Sequence, residues 1–328
     1  MKVLLAQPRG FCAGVDRAID VVEIALQTYG APVYVRHEIV HNDLVCDELR
    51  QKGAVFVDHL SEVPEGGTII FSAHGVSPFV RSEAKERNLK VIDATCPLVT
   101  KVHLEAVRYA KKGFSIVLVG HRGHVEVEGT MGEAPEAITL VESPADVDKL
   151  ELKNPDEVVY LTQTTLSVDD ANVVIEALKK RFPHIQGPPT DDICYATTNR
   201  QAAVRKMAAD CDVILVIGSP TSSNSNRLVE VAKSHGCRSQ LINDASEMNQ
   251  VDLSGVETLG ITAGASAPET LVQEVLAWVK RHHEVVVEPY NVVEEDVTFT
   301  LPRELVTLAK RERVADNLLE KHVQPAAR

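Results

Sequence analysis

Short β-branched runs alternate with amphipathic stretches along most of this chain, and that alternation restricts it to one broad architecture. The runs are "APVYVRHEIV", "GAVFV", "GGTIIFSAHG", "LKVIDATC", "FSIVLVGH", "EVVYLTQT", "DVILVIGS" and "TLGITAG". Helical stretches such as "SPFVRSEAKERN", "DDANVVIEALKKRF" and "NRLVEVAKSHG" fall between them. Units of this kind assemble into parallel sheets, so the expected class is α/β. Ligands of such sheets bind beyond the carboxyl ends of the strands. At 328 residues the chain exceeds one ordinary core, so two or three units are expected.

The strand ends carry a repeat. "FCAGVDRAIDVVEIALQTYG", "TCPLVTKVHLEAVRYAKKG" and "ICYATTNRQAAVRKMAADC" each place a cysteine just before an amphipathic helix, which a strand follows. Polar groups recur 28–30 residues beyond each cysteine: His41, then His124, then Ser222, Ser223 and Asn224. A second polar strand end comes 62–72 residues beyond: His74, Thr164 and Ser266. The pattern predicts three related α/β units, pseudo-threefold about a centre where Cys12, Cys96 and Cys194 converge. The units are expected at 13–96, with 1–12 as a leading strand and cysteine loop, then 97–193 and 194–282. Residues 283–328 read as a closing segment or extra strand followed by a charged peripheral tail, with no chemistry assigned.

Three cysteines, one per unit, suit an iron–sulfur cluster with one iron left free of protein ligands as a Lewis acid. The chain has no CxxC spacing, so the inference rests on the repeat. Zinc held by three Cys and a His, a single catalytic thiol at Cys12, and three small buried side chains are the competing readings. Cys46, inside an expected helix, and Cys211 and Cys237, before expected strands, are read as structural.

The formal charge of −13 argues against a nucleic-acid partner. The chain shows no apolar run of membrane-spanning length and no signal segment, so a cytoplasmic protein with reduced cysteines is expected. An anionic substrate would need local donors. "TSSNSNR" and "TAGASAP" supply them: hydroxyls, an amide and free N–H groups at helix starts form an anion cradle suited to phosphate or diphosphate. His41, His74 and His124 add donors or charge. The other nine histidines, among them His103, His121 and His322, are read as surface residues. Glu126 in "GHRGHVEVEGTMG" is the candidate acid, with Glu128 as its competitor, and Thr164 a partner for the acid or a substrate hydroxyl.

At these residues the chain resembles the 4-hydroxy-3-methylbut-2-enyl diphosphate reductase family, which closes the methylerythritol phosphate route to isoprenoids. The matching stretches include "PRGFCAGVDRAI", "YVRHEIVHN", "FSAHGVS", "DATCPLVTKVH", "EVEGTMG", "TQTTLSVDD", "DDICYATTNRQ", "SSNSNRL" and "TAGASAP". The resemblance implies a [4Fe-4S] cluster on Cys12, Cys96 and Cys194, with the substrate's allylic hydroxyl at the fourth iron. Two electrons and two protons then release water, giving isopentenyl and dimethylallyl diphosphates. It implies that Glu126 relays protons, Thr164 positions the group, and His41, His74, His124, Ser222, Ser223, Asn224 and Ser266 hold the diphosphate. A ferredoxin or flavodoxin would donate electrons, since the chain has no flavin or nicotinamide fingerprint. Alternatives are a cluster-dependent hydratase and an iron–sulfur sensor. Two departures stand out: Val125 replaces the Pro familiar in "HPEVEG", and Pro220-Thr221 stands where a Lys-Asn pair is common.

Overall fold

The computed structural model describes residues 1–322. Its strands are β1 (Lys2–Gln7), β2 (Val33–Arg36), β3 (Ala54–Val57), β4 (Thr68–Phe71), β5 (Lys90–Asp93), β6 (Ser115–Val119), β7 (Ile138–Val141), β8 (Val158–Thr162), β9 (Val213–Ile217), β10 (Arg238–Ile242), β11 (Thr258–Ala263) and β12 (Val286–Asn291). Every pairing among them is parallel, and they form three sheets. The helices are α1 (Ala13–Tyr29), α2 (Asp43–Gln51), α3 (Pro78–Glu86), α4 (Pro97–Lys111), α5 (Val125–Glu133), α6 (Pro144–Val147), α7 (Val168–Arg181), α8 (Tyr195–Met207), α9 (Ser223–Ser234), α10 (Glu269–His282), α11 (Arg303–Glu312) and α12 (Asp316–Lys321). Among the described residues no helix is long and apolar enough to cross a membrane.

The sheets repeat one order. The first runs β3-β2-β4-β5, the second β7-β6-β8, and the third β10-β9-β11-β1-β12. In the second, a single parallel bridge between Val159 and Gln186 stands where the others have a fourth strand. This order corrects the expected place of the N-terminal strand. β1 does not lead the first sheet; it lies beside β11 and completes the third, as β5 lies beside β4. Its alternating Val3 and Leu5 pack with β11 residues, a partner far away in sequence that no local pattern announces. β7 and β10 are edge strands, where one rim faces outward and a short or polar run suffices.

The C-terminal region is also more integral than a peripheral tail. β12 extends the third sheet along β1. Beyond it, α11 packs on α1, and Leu301, Leu305, Ala309, Leu318 and Leu319 enter the core of the first unit with Val21, Ile24 and Val35. Burying each leucine is worth about 1.5–3 kcal/mol, ample to hold a charged, amphipathic end in place. His322, read as a surface residue, is buried and bonds to Asp20 Oδ2 at 2.8 Å and to the Phe299 carbonyl at 2.8 Å. His103 likewise proves buried, with Nδ1 2.9 Å from Glu133 Oε1. Cys46 lies in α2, and Cys211 and Cys237 precede β9 and β10.

Candidate functional site

Cys12, Cys96 and Cys194 are the N-cap residues of α1, α4 and α8. Each is anchored through its backbone N–H to a carbonyl at a strand end: Ala265 for Cys12 at 3.2 Å, Ala73 for Cys96 at 3.0 Å, and Thr164 for Cys194 at 3.0 Å. These acceptors belong to or adjoin the second polar strand ends, so each cysteine loop is tied to the loop of the sheet that leads into it. The three thiols feel one another. Burial, with the neighbouring Cys12 adding to it, pushes Cys96 up to about 12 and Cys194 up to about 11. Three thiolates here therefore call for a compensating cation. Thr197 holds the Cys194 sulfur with its hydroxyl at 3.2 Å and its N–H at 3.4 Å. Gly14, which the sequence reasoning missed, makes room for the group: a Cβ there would lie 2.7 Å from Cys96 Sγ and 3.9 Å from Cys12 Sγ.

The three cysteines and all nine other candidate residues line one central cavity. Glu126 is buried on the first turn of α5, not on a loop, and Glu128 is exposed, which separates the two competing acids. Both oxygens of Glu126 face Thr164: its N–H donates to Oε1 at 2.6 Å and its hydroxyl to Oε2 at 2.9 Å. Burial raises the Glu126 carboxyl, and these bonds oppose the rise without cancelling it.

The rest of the lining holds further polar groups. The rings of His41 and His74 stack 4.1 Å apart, with His124 at 5.4 Å from His41. Burial pushes His124 down to about 4 and His74 well below its ordinary value, with the neighbouring histidines adding to both shifts. His124 Nδ1 accepts from the Glu126 N–H at 3.2 Å, so its neutral ring presents Nε2–H to the cavity. His41 Nδ1 contacts Glu38 Oε2 at 3.0 Å. The Nε2 atoms of His41 and His124 and both amide atoms of Asn224 are buried without a partner. Ser222 caps α9, and Ser266 donates to the His41 carbonyl at 2.9 Å and to Ser222 Oγ at 3.3 Å. Ser223 Oγ meets Thr165 Oγ1 at 3.2 Å. Thr165, a further lining residue, was visible only as the third threonine of "TQTTLS".

The two sequence departures lie outside the lining. Val125 is the first residue of α5, a position that favours proline because its N–H has no helical acceptor. Pro220 and Thr221 are exposed, in a turn closed by Ser219 Oγ and by Asn226, which donates to the Pro220 carbonyl at 2.8 Å.

Fold and site together define a three-unit α/β protein with a thiol floor and a histidine, serine and asparagine wall around one cavity. Residues 3–280 match the LytB protein family, and the chain belongs to that family. It is 58% identical over 308 residues to the 4-hydroxy-3-methylbut-2-enyl diphosphate reductase of Methylococcus capsulatus, covering 93% of this chain and 98% of that protein. It is 56% identical over 315 residues to the reductase of the same name from Rhodopirellula baltica, covering 96% and 99%. Among solved structures, the E-1-hydroxy-2-methyl-but-2-enyl-4-diphosphate reductase of Plasmodium falciparum superposes with a TM-score of 0.91 at 41% identity, over 95% of this chain and 99% of that one.

Proposed function

We propose that this chain reduces (E)-4-hydroxy-3-methylbut-2-enyl diphosphate to isopentenyl and dimethylallyl diphosphates, the terminal step of the non-mevalonate pathway. Its membership of the reductase family supports the activity. The single observation that carries the site reading is the cavity itself. Cys12, Cys96 and Cys194 line it together with Asn224, His41 and His124, whose amide atoms and imidazole Nε2 atoms are buried without a partner.

The donor set fits an iron–sulfur group: three cysteine sulfurs, mutually repelling as thiolates, with Gly14 leaving space between two of them. When bound, a [4Fe-4S] cluster on these cysteines would supply the electrons and one iron without a protein ligand. The rest is the work of this chain's own side chains. Asn224, Ser222, Ser223 and Ser266, with His41, His74 and His124, hold the diphosphate. Neutral His124 donates through Nε2, and an anion beside the ring cluster favours its protonation. Holding that remote end restricts where the hydroxyl can lie and lowers the entropic part of the barrier. Burial favours the protonated form of Glu126, and Thr164 Oγ1, 2.9 Å from Oε2, is placed to accept that proton while giving its own hydroxyl proton to the departing hydroxyl. The remainder of the wall excludes bulk water. A ferredoxin or flavodoxin supplies the electrons. All six cysteines are free, as suits the cytoplasm.

The test is anaerobic reconstitution followed by iron and sulfide analysis, Mössbauer spectroscopy and a reductant-dependent assay with the hydroxylated allylic diphosphate. Four irons with one distinct site, together with turnover, support the reading. A loaded cluster without turnover turns it towards the hydratase or sensor. Zinc in place of iron removes it.

A further inference from the structure

Each cysteine-capped helix carries a cation one turn or more inside, and each cation reaches the segment before another unit's cysteine, Arg200 also donating to the Ala196 carbonyl of its own helix at 3.1 Å. Arg17 stands five residues after Cys12, Lys101 five after Cys96, and Arg200 six after Cys194. Arg17 Nη1 donates to the carbonyls of Ala94 and Thr95, both at 3.1 Å, the two residues leading into Cys96. Lys101 Nζ donates to the carbonyls of Thr190 at 2.6 Å and Asp191 at 3.1 Å and to Asp192 Oδ1 at 2.9 Å, on the approach to Cys194. Arg200 closes the circle, donating to the Gly10 carbonyl at 2.7 Å and the Phe11 carbonyl at 3.3 Å, just before Cys12. Arg17 and Arg200 are buried, Arg200 completely. The C-terminal segment completes both: Thr300 accepts from Arg17 Nε at 2.7 Å, and Glu295 pairs with Arg200 Nη1 at 3.0 Å.

We propose that Arg17, Lys101 and Arg200 are positioning residues for the three-thiol centre, each fixing the cysteine of the next unit rather than its own. The direction is cyclic: Arg17 acts on Cys96, Lys101 on Cys194 and Arg200 on Cys12. Loops before a helix N-cap have few backbone partners of their own, so their carbonyls need external donors. A charged donor is stronger than a neutral one and also offsets some of the charge of the thiolates it lies beside. The purpose assigned to the ring rests on the three-cysteine reading above; the mechanical claim does not.

Lys101 is the variant to make, because its side chain is 25% exposed whereas Arg17 and Arg200 are buried, and its loss deprives the fully buried Asp192 carboxylate of its cation on the approach to Cys194. In the metal-free full-length protein, the reaction of each thiol with iodoacetamide is followed by peptide mass spectrometry. Lys101→Met is expected to speed alkylation of Cys194 by about tenfold, in line with losing charged hydrogen bonds, and to leave Cys12 and Cys96 within about twofold. Lys101→Arg is expected to restore the slow rate. In the reconstituted protein, Lys101→Met is expected to lose iron to a chelator about tenfold faster. Arg17→Gln should move the fast site to Cys96. An equal rise at all three cysteines, no rise, or a rise confined to Cys96 in Lys101→Met would overturn the proposal. The alkylation result is independent of turnover, so failure of the reductase reading and failure of the ring are told apart.

Discussion

The thiol floor and the polar wall of the cavity are built from the same three units, yet by opposite means. The floor is repetition: three helix N-caps, three anchoring carbonyls and three cations reach the same kind of contact. The wall is divergence. At matching strand ends one unit places histidines, the second a histidine and a threonine, and the third serines and an asparagine. Symmetry suits a roughly symmetric metal group, and an asymmetric substrate needs the units to differ. The repeated floor should then fail as a whole, whereas the varied wall should fail group by group.

The largest effect belongs to the floor. Cys96→Ser is expected to abolish cluster loading and turnover while inorganic pyrophosphate still binds the wall, as read by iron analysis beside calorimetry. Loss of pyrophosphate binding in that variant would mean the two regions are not separable. Next comes the junction. Glu126→Gln should load a full cluster and bind pyrophosphate, with kcat reduced by about 10²-fold or more, as for loss of a general acid. Wall substitutions should be graded: Asn224→Ala removes an amide facing a charged group and should weaken pyrophosphate binding by roughly 10–100-fold, with iron content unchanged.

A smaller signature lies in the pH dependence of metal-free stability. His124 is held at about 4 and His74 well below its ordinary value, so unfolding lets both take up protons near 6.5. The unfolded chain binds more protons below 6.5, and these two residues make stability fall as pH drops towards 4. Raised Glu126 acts in the opposite sense, losing stability as pH climbs from 4.5. His124→Gln should therefore flatten the acid side of the denaturation midpoint against pH; an unchanged slope would place the acid sensitivity elsewhere. The smallest effect is Val125→Pro, which should raise stability by about 0.4–1 kcal/mol by restricting the unfolded chain, with turnover unaltered.

Much of the site was legible because its residues sit at fixed intervals from cysteines that precede amphipathic helices. The spacing brought out eleven of the twelve lining candidates, Glu126 entered only as a neighbour of His124, and the α/β class followed from the alternation of strands and helices. What sequence could not reveal was set by distant partners. β1 sits beside β11 because its apolar residues meet a strand some 250 positions away. The tail's leucines are spaced as on any exposed amphipathic helix, and only the groove beside α1 shows that they are buried. Glu126 and Glu128 share a first helical turn, and a two-residue step cannot tell the inner face from the outer until α5 is docked. Gly14 matters through a neighbour's sulfur, which its own segment does not contain.

Completion of the third sheet by β1 also sets an order of assembly. Cys12 is made some 250 residues ahead of the strand end that holds it, since its loop is pinned by Ala263 and Ala265, through Gly10 and its own N–H, and by Arg200. A growing chain can form the first two sheets, each from a contiguous stretch, well before the ring can close. Until residues near 265 emerge, the earliest cysteine has no fixed place. Chains that stop short of β11 therefore lack the anchored Cys12 loop, and the proposed metal capture has to wait for the third sheet to close.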